Sequence, residues 1–276
     1  MNGGTSGQIT GVLITGASSG LGRALAEACA APGVTLHLAG RDPGRLEEVA
    51  AACRARGAAV RPRVVDVRDA QAVAGWVRTA GRLDLVVANA GISAGTGGGG
   101  AAGESPEQVR GIFATNLGGM LNTVLPALAV MAAQPPDADG RRGRIAAVAS
   151  LAGFVPIPGA PSYSASKAAV DCWILGAAEA AARAGIVLSS ICPGYVRTPM
   201  TRGNPYPMPG LMDPERAARI ILRGLARGRR RIAFPWWFAP LVRAVGLLPP
   251  RLTGRLLALA PAKRALGEPG GGGNNY

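Results

Sequence analysis

Tyr163 and Lys167 stand four residues apart in a segment, 162–184, whose pattern predicts a helix, so both side chains leave one face. A phenol titrates at about 10 and is a poor acid–base group at neutral pH. A nearby ammonium stabilises the phenolate and lowers that value. The pair is therefore a sensible proton donor, although the same spacing also occurs on ordinary helix surfaces. Of the 30 basic residues only Lys167 and Lys263 are lysine. In a chain that otherwise uses arginine, lysine at 167 suggests that a guanidinium will not serve there. Thirteen residues upstream, Ser150 closes an apolar stretch, where a serine can act on a ligand or simply cap. Asn116 is a lone amide among Ile112, Phe113, Leu117 and Met120, so it must be hydrogen-bonded or its burial is costly. It can serve a site or mark a kink.

These residues need elements to hold them. Apolar strands are expected at 9–14, 34–39, 60–65, 83–88, 144–149 and 186–192, and helices at about 21–31, 43–56, 70–80, 105–133 and 162–184. Such alternation predicts a single-domain α/β fold: a Rossmann-type, doubly wound parallel sheet with helices on both faces. The catalytic domain is expected over 9–231, with a flexible 1–8, a basic and aromatic extension over 232–266 and a disordered 267–276. Residues 94–103, including Gly97 to Gly100, read as a flexible loop. The charge-free run 111–136 is long enough to cross a bilayer, but its amides, glycines and prolines favour a helix packed on the sheet.

The first strand runs into Thr15-Gly16-Ala17-Ser18-Ser19-Gly20-Leu21-Gly22 and then a helix. Glycines there let the backbone approach a pyrophosphate, and the helix start offers N–H groups and a positive dipole end. The second strand ends Ala39-Gly40-Arg41-Asp42. An acid at this point binds a ribose 2′-hydroxyl, whereas an arginine accommodates a 2′-phosphate. Gly40 stands where the acid is expected and Arg41 follows, so the reading is NADP(H) rather than NAD(H). Asp42 would reverse it if the register moved by two.

Composition excludes other chemistries. One histidine, His37, cannot furnish a two-histidine zinc site, and no Cys-x-x-Cys pair replaces it, so no metal is expected. A Ser-His-Asp hydrolase would have to use His37, inside the apolar stretch 34–39. Four dispersed cysteines give no disulfide framework and suit a reducing compartment.

Six short motifs in this order resemble the short-chain dehydrogenase/reductase family over about residues 9–200. They are Thr15-Gly16-(x3)-Gly20-x-Gly22, Asn89-Ala90-Gly91, Asn116, Ser150, Tyr163-(x3)-Lys167 and Pro193-Gly194-(x3)-Thr198. The resemblance implies Ser150, Tyr163, Lys167 and Asn116 as the catalytic set. Asn116 would hold a water in a proton relay to Lys167, which would also bind the nicotinamide ribose. It implies a cofactor groove of Gly16, Ser18, Ser19, Gly20, Leu21, Gly22, Arg41, Asp66, Val67, Asn89, Ala90, Gly91, Tyr163, Lys167, Pro193, Gly194, Val196 and Thr198. Asp66 would contact the adenine and Thr198 the nicotinamide carboxamide. A substrate lid falls at about 195–213. The expected activity is hydride transfer between NADP(H) and a carbonyl or secondary alcohol of an apolar, lipid-like substrate, in a homodimer or homotetramer. The alternative is a catalytically silent NADP(H)-binding scaffold or membrane adaptor.

Charge is concentrated late in the chain. Residues 1–200 carry 17 basic and 13 acidic groups, residues 201–276 carry 13 and 3. The basic part surrounds Phe234-Pro-Trp-Trp-Phe238, too short a run to cross a bilayer. Attachment of 227–264 to an anionic membrane surface, a dimer interface and a substrate entrance all fit it. Clustered aromatics argue against nucleic acid, which needs separated stacking platforms along a basic groove. No signal peptide is evident, and the expected location is cytoplasmic, peripheral on the membrane face under the first reading.

Overall fold

The computed structural model describes residues 9–96, 103–204, 206–258 and 265. The expectations for 1–8, for Gly97 to Gly100 and for 267–276 fall outside these residues.

Fully buried β1 (Gly11–Thr15) leads into α1 (Gly20–Cys29). Then come β2 (Thr35–Gly40), α2 (Pro43–Arg54), β3 (Ala59–Val64), α3 (Ala70–Arg78) and β4 (Leu85–Ala88). The second half runs α4 (Pro106–Phe113), α5 (Gly119–Ala133), β5 (Gly143–Val148), α6 (Pro161–Arg183) and β6 (Ile186–Pro193). It ends with α7 (Pro214–Ala226), β7 (Arg231–Phe234), α8 (Phe238–Gly246) and α9 (Pro250–Ala258). The strands form one parallel sheet in the order β3-β2-β1-β4-β5-β6-β7.

Alternation along β1 builds two cores. Val12 and Ile14 face Leu25, Leu46 and Ile221, while Leu13 faces the opposite layer with Trp76, Val124 and Ile174. β3 is an edge, and its exposed Arg61, Pro62 and Arg63 suit a strand that pairs on one side only. His37 is buried in β2, where burial and then the Arg61 charge push its pKa down.

The helix expected over about 105–133 is two α segments joined by a π turn at Ala114–Gly118. One extra residue in that turn re-aims Asn116. Among the described residues, Pro106–Ala133 is the one helix long and apolar enough to cross a membrane. Its Met120, Val124, Ala127 and Met131 are instead buried in the layer over β4 and β5.

The domain boundary expected at 231 needs correction. Arg231–Phe234 is the seventh strand, paired with β6 from Ser190↔Arg231 to Pro193↔Phe234. The physical cause is Asp171 on α6. Its carboxylate accepts from Arg231 Nε (3.1 Å) and Nη2 (2.6 Å) and from Ser190 Oγ (2.7 Å), drawing one arginine of the basic run onto the sheet. Burial alone would raise the Asp171 pKa, but the Arg231 and Ser190 hydrogen bonds outweigh it and hold the carboxyl below its ordinary value. The pair's stabilisation is therefore full above about pH 4 and is lost as pH falls through the depressed folded value. Asp171→Ala should cost about 3 kcal/mol at pH 7 by leaving Arg231 without its partner. In thermal melts the Tm gap from wild type should narrow below about pH 4. A variant melting with wild type at pH 7 would contradict this role.

Candidate functional site

The carboxyl ends of β1, β4, β5 and β6 open onto one cleft, where the winding direction reverses between β1 and β4. Gly16 (φ +65°) and Gly20 (φ +53°) take left-handed backbone that lets the turn fold back on itself. A Cβ on Gly22 would stand 2.1 Å from the Gly16 carbonyl oxygen and 2.5 Å from Asn89 Nδ2, so α1 can pack this closely only with glycine there. Asn89 Nδ2 donates to the Thr15 and Gly16 carbonyls, each at 3.0 Å. Thr15 Oγ1 accepts from the Asn89 N–H at 3.1 Å and the Ala90 N–H at 3.3 Å. Asn89-Ala90-Gly91 is thereby tied to the glycine turn. Among the described residues no side chain caps α1, so its first N–H groups are left toward the cleft. A side-chain-free cradle at a helix N-terminus fits a dinucleotide pyrophosphate.

At one end of the cleft lie Arg41, Asp42, Arg45, Asp66 and Val67. Asp42 is turned away to cap α2: its carboxylate accepts from the Arg45 N–H (3.0 Å) and Arg45 Nε (2.7 Å). A Cβ on Gly40 would come 3.0 Å from Ser18 Cβ, so the expected acid position is crowded as well. Asp66 is engaged by Arg68 through Nε–H (2.9 Å) and its backbone N–H (2.9 Å). Those bonds from Arg68 outweigh burial, and with a smaller contribution from Arg41 they hold the Asp66 carboxyl below its ordinary value.

At the other end Ser150, Tyr163 and Lys167 line the wall together with Pro193, Gly194, Val196 and Thr198. Buried Lys167 donates from Nζ to the Val148 carbonyl at 2.7 Å, fixing it below the end of β5. Its Nζ lies 5.9 Å from the Tyr163 ring centroid. Burial lowers the Lys167 pKa to about 8. The lowering of Tyr163 expected from its neighbour is not what the site produces. Burial raises the Tyr163 pKa, more than the Ser150 hydroxyl lowers it. Tyr163 is thus a neutral O–H donor at neutral pH. Ser150 also serves as the cap: its Oγ accepts from the Ala152 N–H at 3.1 Å. Its own proton is held loosely, by the Pro193 carbonyl at 3.5 Å, and is free to be re-aimed.

Asn116 and Gly22 lie behind the cleft wall. The Asn116 Oδ1 accepts from the Ile92 N–H (2.8 Å), and Nδ2 donates to the Ile92 carbonyl (3.0 Å) and Ser166 Oγ (2.9 Å). Both amide donors are spent, and Oδ1 keeps one acceptor position. A Cβ on Gly91 would lie 3.1 Å from that oxygen and 3.3 Å from Lys167 Nζ, so both groups flank one point.

Three contributors escape sequence reasoning. Arg45 joins Arg41 because the Asp42 cap turns it inward, a pairing that the Asp42-x-x-Arg45 spacing could have signalled. Glu104 accepts from the Ser162 N–H at 2.9 Å and from its hydroxyl, capping the helix of Tyr163 across 58 residues, with no local signal. Tyr206, in the expected lid, lies near both Tyr195 (6.2 Å between ring centroids) and Tyr163, whose charges raise its pKa after burial. The two ends of the 195–213 segment, where a lid is expected, are joined: Arg197 N–H donates to the Met212 carbonyl (2.9 Å) and Met212 N–H to that of Tyr195 (3.1 Å).

The sequence matches the profile of the short chain dehydrogenases over residues 10–206. An uncharacterized oxidoreductase of Myxococcus xanthus is 38% identical over 242 residues, covering 86% of this chain and 92% of that protein. A short-chain dehydrogenase from Sphingobium yanoikuyae, solved with NADPH, superposes with TM-score 0.74 at 28% identity, over 87% of this chain and 95% of that one. Another from Mycobacterium paratuberculosis, bound to NAD, gives TM-score 0.70 at 27% identity, over 82% and 97%. With the parallel sheet, glycine turn and Tyr–Lys helix already in place, the chain belongs to the short-chain dehydrogenase family of oxidoreductases.

Proposed function

We propose that this oxidoreductase binds NADP(H) and interconverts a carbonyl and a secondary alcohol on an apolar substrate. The observation that carries the reading is the meeting of Ser150, Tyr163 and Lys167 on one wall of the glycine-floored cleft. When bound, the nicotinamide supplies or accepts the hydride. The chain's own residues handle the oxygen and its proton. Ser150 Oγ–H points at the substrate oxygen and orients it. Tyr163, kept protonated by burial, donates its phenolic proton to that oxygen during reduction. Lys167 offers an ammonium beside the phenolate so formed, and with Asn116 Oδ1 flanks the point through which a proton returns. Gly16, Ser18, Ser19, Gly20 and Leu21 would hold the pyrophosphate, and Thr198 the carboxamide end. Tyr195, Tyr206, Phe238 and Met200 supply an apolar side for the substrate.

The preference for the phosphorylated cofactor rests on two guanidiniums, Arg41 and Arg45, at the adenosine end, and on Asp42 being occupied by its own helix. Arg41→Ala with Arg45→Ala should reduce kcat/KM with NADPH by about a hundredfold or more and leave the value with NADH within a few-fold, since each pairing is worth about 1.5–3 kcal/mol. Wild type favouring NADH would overturn the assignment.

Tyr163→Phe should lower turnover by at least about a thousandfold while NADPH still quenches protein fluorescence. A surviving reductase activity would remove Tyr163 as proton donor. If the wild-type protein binds NADPH yet reduces no ketone or aldehyde in a broad panel, it is a silent scaffold.

The pH dependence follows from Lys167. It is protonated below about 8, so kcat/KM for carbonyl reduction should be flat from pH 6 to 7.5 and fall as the ammonium is lost above about 8. A profile that stays level to pH 9.5 would contradict the role given to the ammonium.

A further inference from the structure

The C-terminal helices present a surface that the proposed chemistry does not use. α8 is docked on the turn after Ser150: a Cβ on Gly246 would lie 2.2 Å from the Phe154 carbonyl oxygen. The Arg243 guanidinium stacks over the Phe154 ring at 5.0 Å, with Arg231 at 5.4 Å. Thr253, fully buried on α9, donates to the carbonyls of Val245 (3.2 Å) and Leu248 (3.1 Å), folding α9 back on the end of α8. Thr253 thereby ties α9 to the end of α8. Their outward side is apolar. Trp236 is 84% exposed and Leu247 is 87% exposed, with Trp237, Leu241, Leu248, Leu252 and Leu256 also open. Trp237 and Leu241 lie one turn apart, as do Leu252 and Leu256, beside exposed Arg251 and Arg255.

The charge around this surface has one sign. From 216 to 267 the chain carries twelve basic residues and no acid. Arg231 is held by Asp171 and Arg230 by Glu179. Arg251 and Arg255 form no ion pair among the described residues. A two-fold interface would set this patch against itself, bringing arginines together with no acid between them. A negatively charged bilayer surface complements both properties. Tryptophans and leucines enter the headgroup boundary, and arginines meet lipid phosphates. The apolar run is too short to cross, so the contact is in the plane. We infer that α8, α9 and the Trp236–Trp237 corner dock this protein on anionic lipid bilayers. The surface adjoins the expected lid segment: the Phe238 and Tyr195 rings meet tilted by 31° with centroids 6.4 Å apart, and a Cβ on Gly210 would sit 3.1 Å from Trp237.

The test is co-sedimentation of the full-length protein with phosphatidylcholine vesicles, with and without phosphatidylglycerol. Wild type should pellet with the anionic vesicles, stay soluble with the neutral ones, and be released by added salt. Trp236→Ser with Leu247→Ser, and separately Arg251→Glu with Arg255→Glu, should each weaken partitioning by about tenfold or more while NADPH binding persists. Three results would overturn the inference: no pelleting of wild type, pelleting indifferent to lipid charge and salt, or variants that lower the sedimentation mass by breaking an oligomer while partitioning like wild type. The salt and lipid-charge readouts need no variant. None of the readouts uses turnover, so failure here is separate from failure of the proposed reaction.

Discussion

β1 pairs in parallel with β2 on one side and with β4 on the other, and this obliges the chain to wind outward twice in opposite senses. Parallel neighbours require crossovers, and right-handed crossovers place helices on both faces. Where the two windings part, the crossovers leave in opposite directions and open a crevice at the strand ends, which is the cleft. The glycine turn after β1, Asn89 after β4, Ser150 after β5 and Pro193 at the end of β6 are brought together there although 177 positions separate Gly16 from Pro193. The close approach at Gly22 matters because it sets α1 against the turn, and so fixes where the N–H groups of that helix point.

The two ends of the cleft use charge in opposite ways. At the proposed adenosine end Arg41 and Arg45 lie toward solvent, and the neighbouring carboxylates are turned to local work: Asp42 caps a helix and Asp66 holds Arg68. At the proposed catalytic end Lys167 is buried, and the lost hydration brings its proton within reach of neutral pH. An arginine could not be tuned this way, which explains a lysine in a chain so poor in them. Tyr163 stays neutral for the same reason, so burial supplies a proton donor and a titratable neighbour together.

Much of this was legible in the chain. The strand–helix rhythm comes through because buried parallel strands are continuously apolar, and the Tyr163–Lys167 spacing is local. What stayed hidden depends on distant partners. The π turn at Asn116 is held by Ile92, 24 residues away, so the segment reads as one uninterrupted helix. β7 is only four residues long and starts in an arginine run; it becomes a strand because Asp171, 60 residues earlier, takes Arg231. The cap from Glu104 to Ser162 likewise has no local trace. The expectation for the Tyr163 pKa weighed the Lys167 ammonium above burial, and only the packed structure could rank the two.

The central claim is that this cleft carries hydride from a nicotinamide to a carbonyl carbon. Deuterium placed at C4 of NADPH, on each face in turn, tests it directly in a single turnover with an apolar ketone. The account predicts that one of the two labelled cofactors delivers its deuterium to the carbinol carbon of the product, read by mass spectrometry as a gain of about one mass unit. Bound cofactor with no label appearing in product from either face would contradict it.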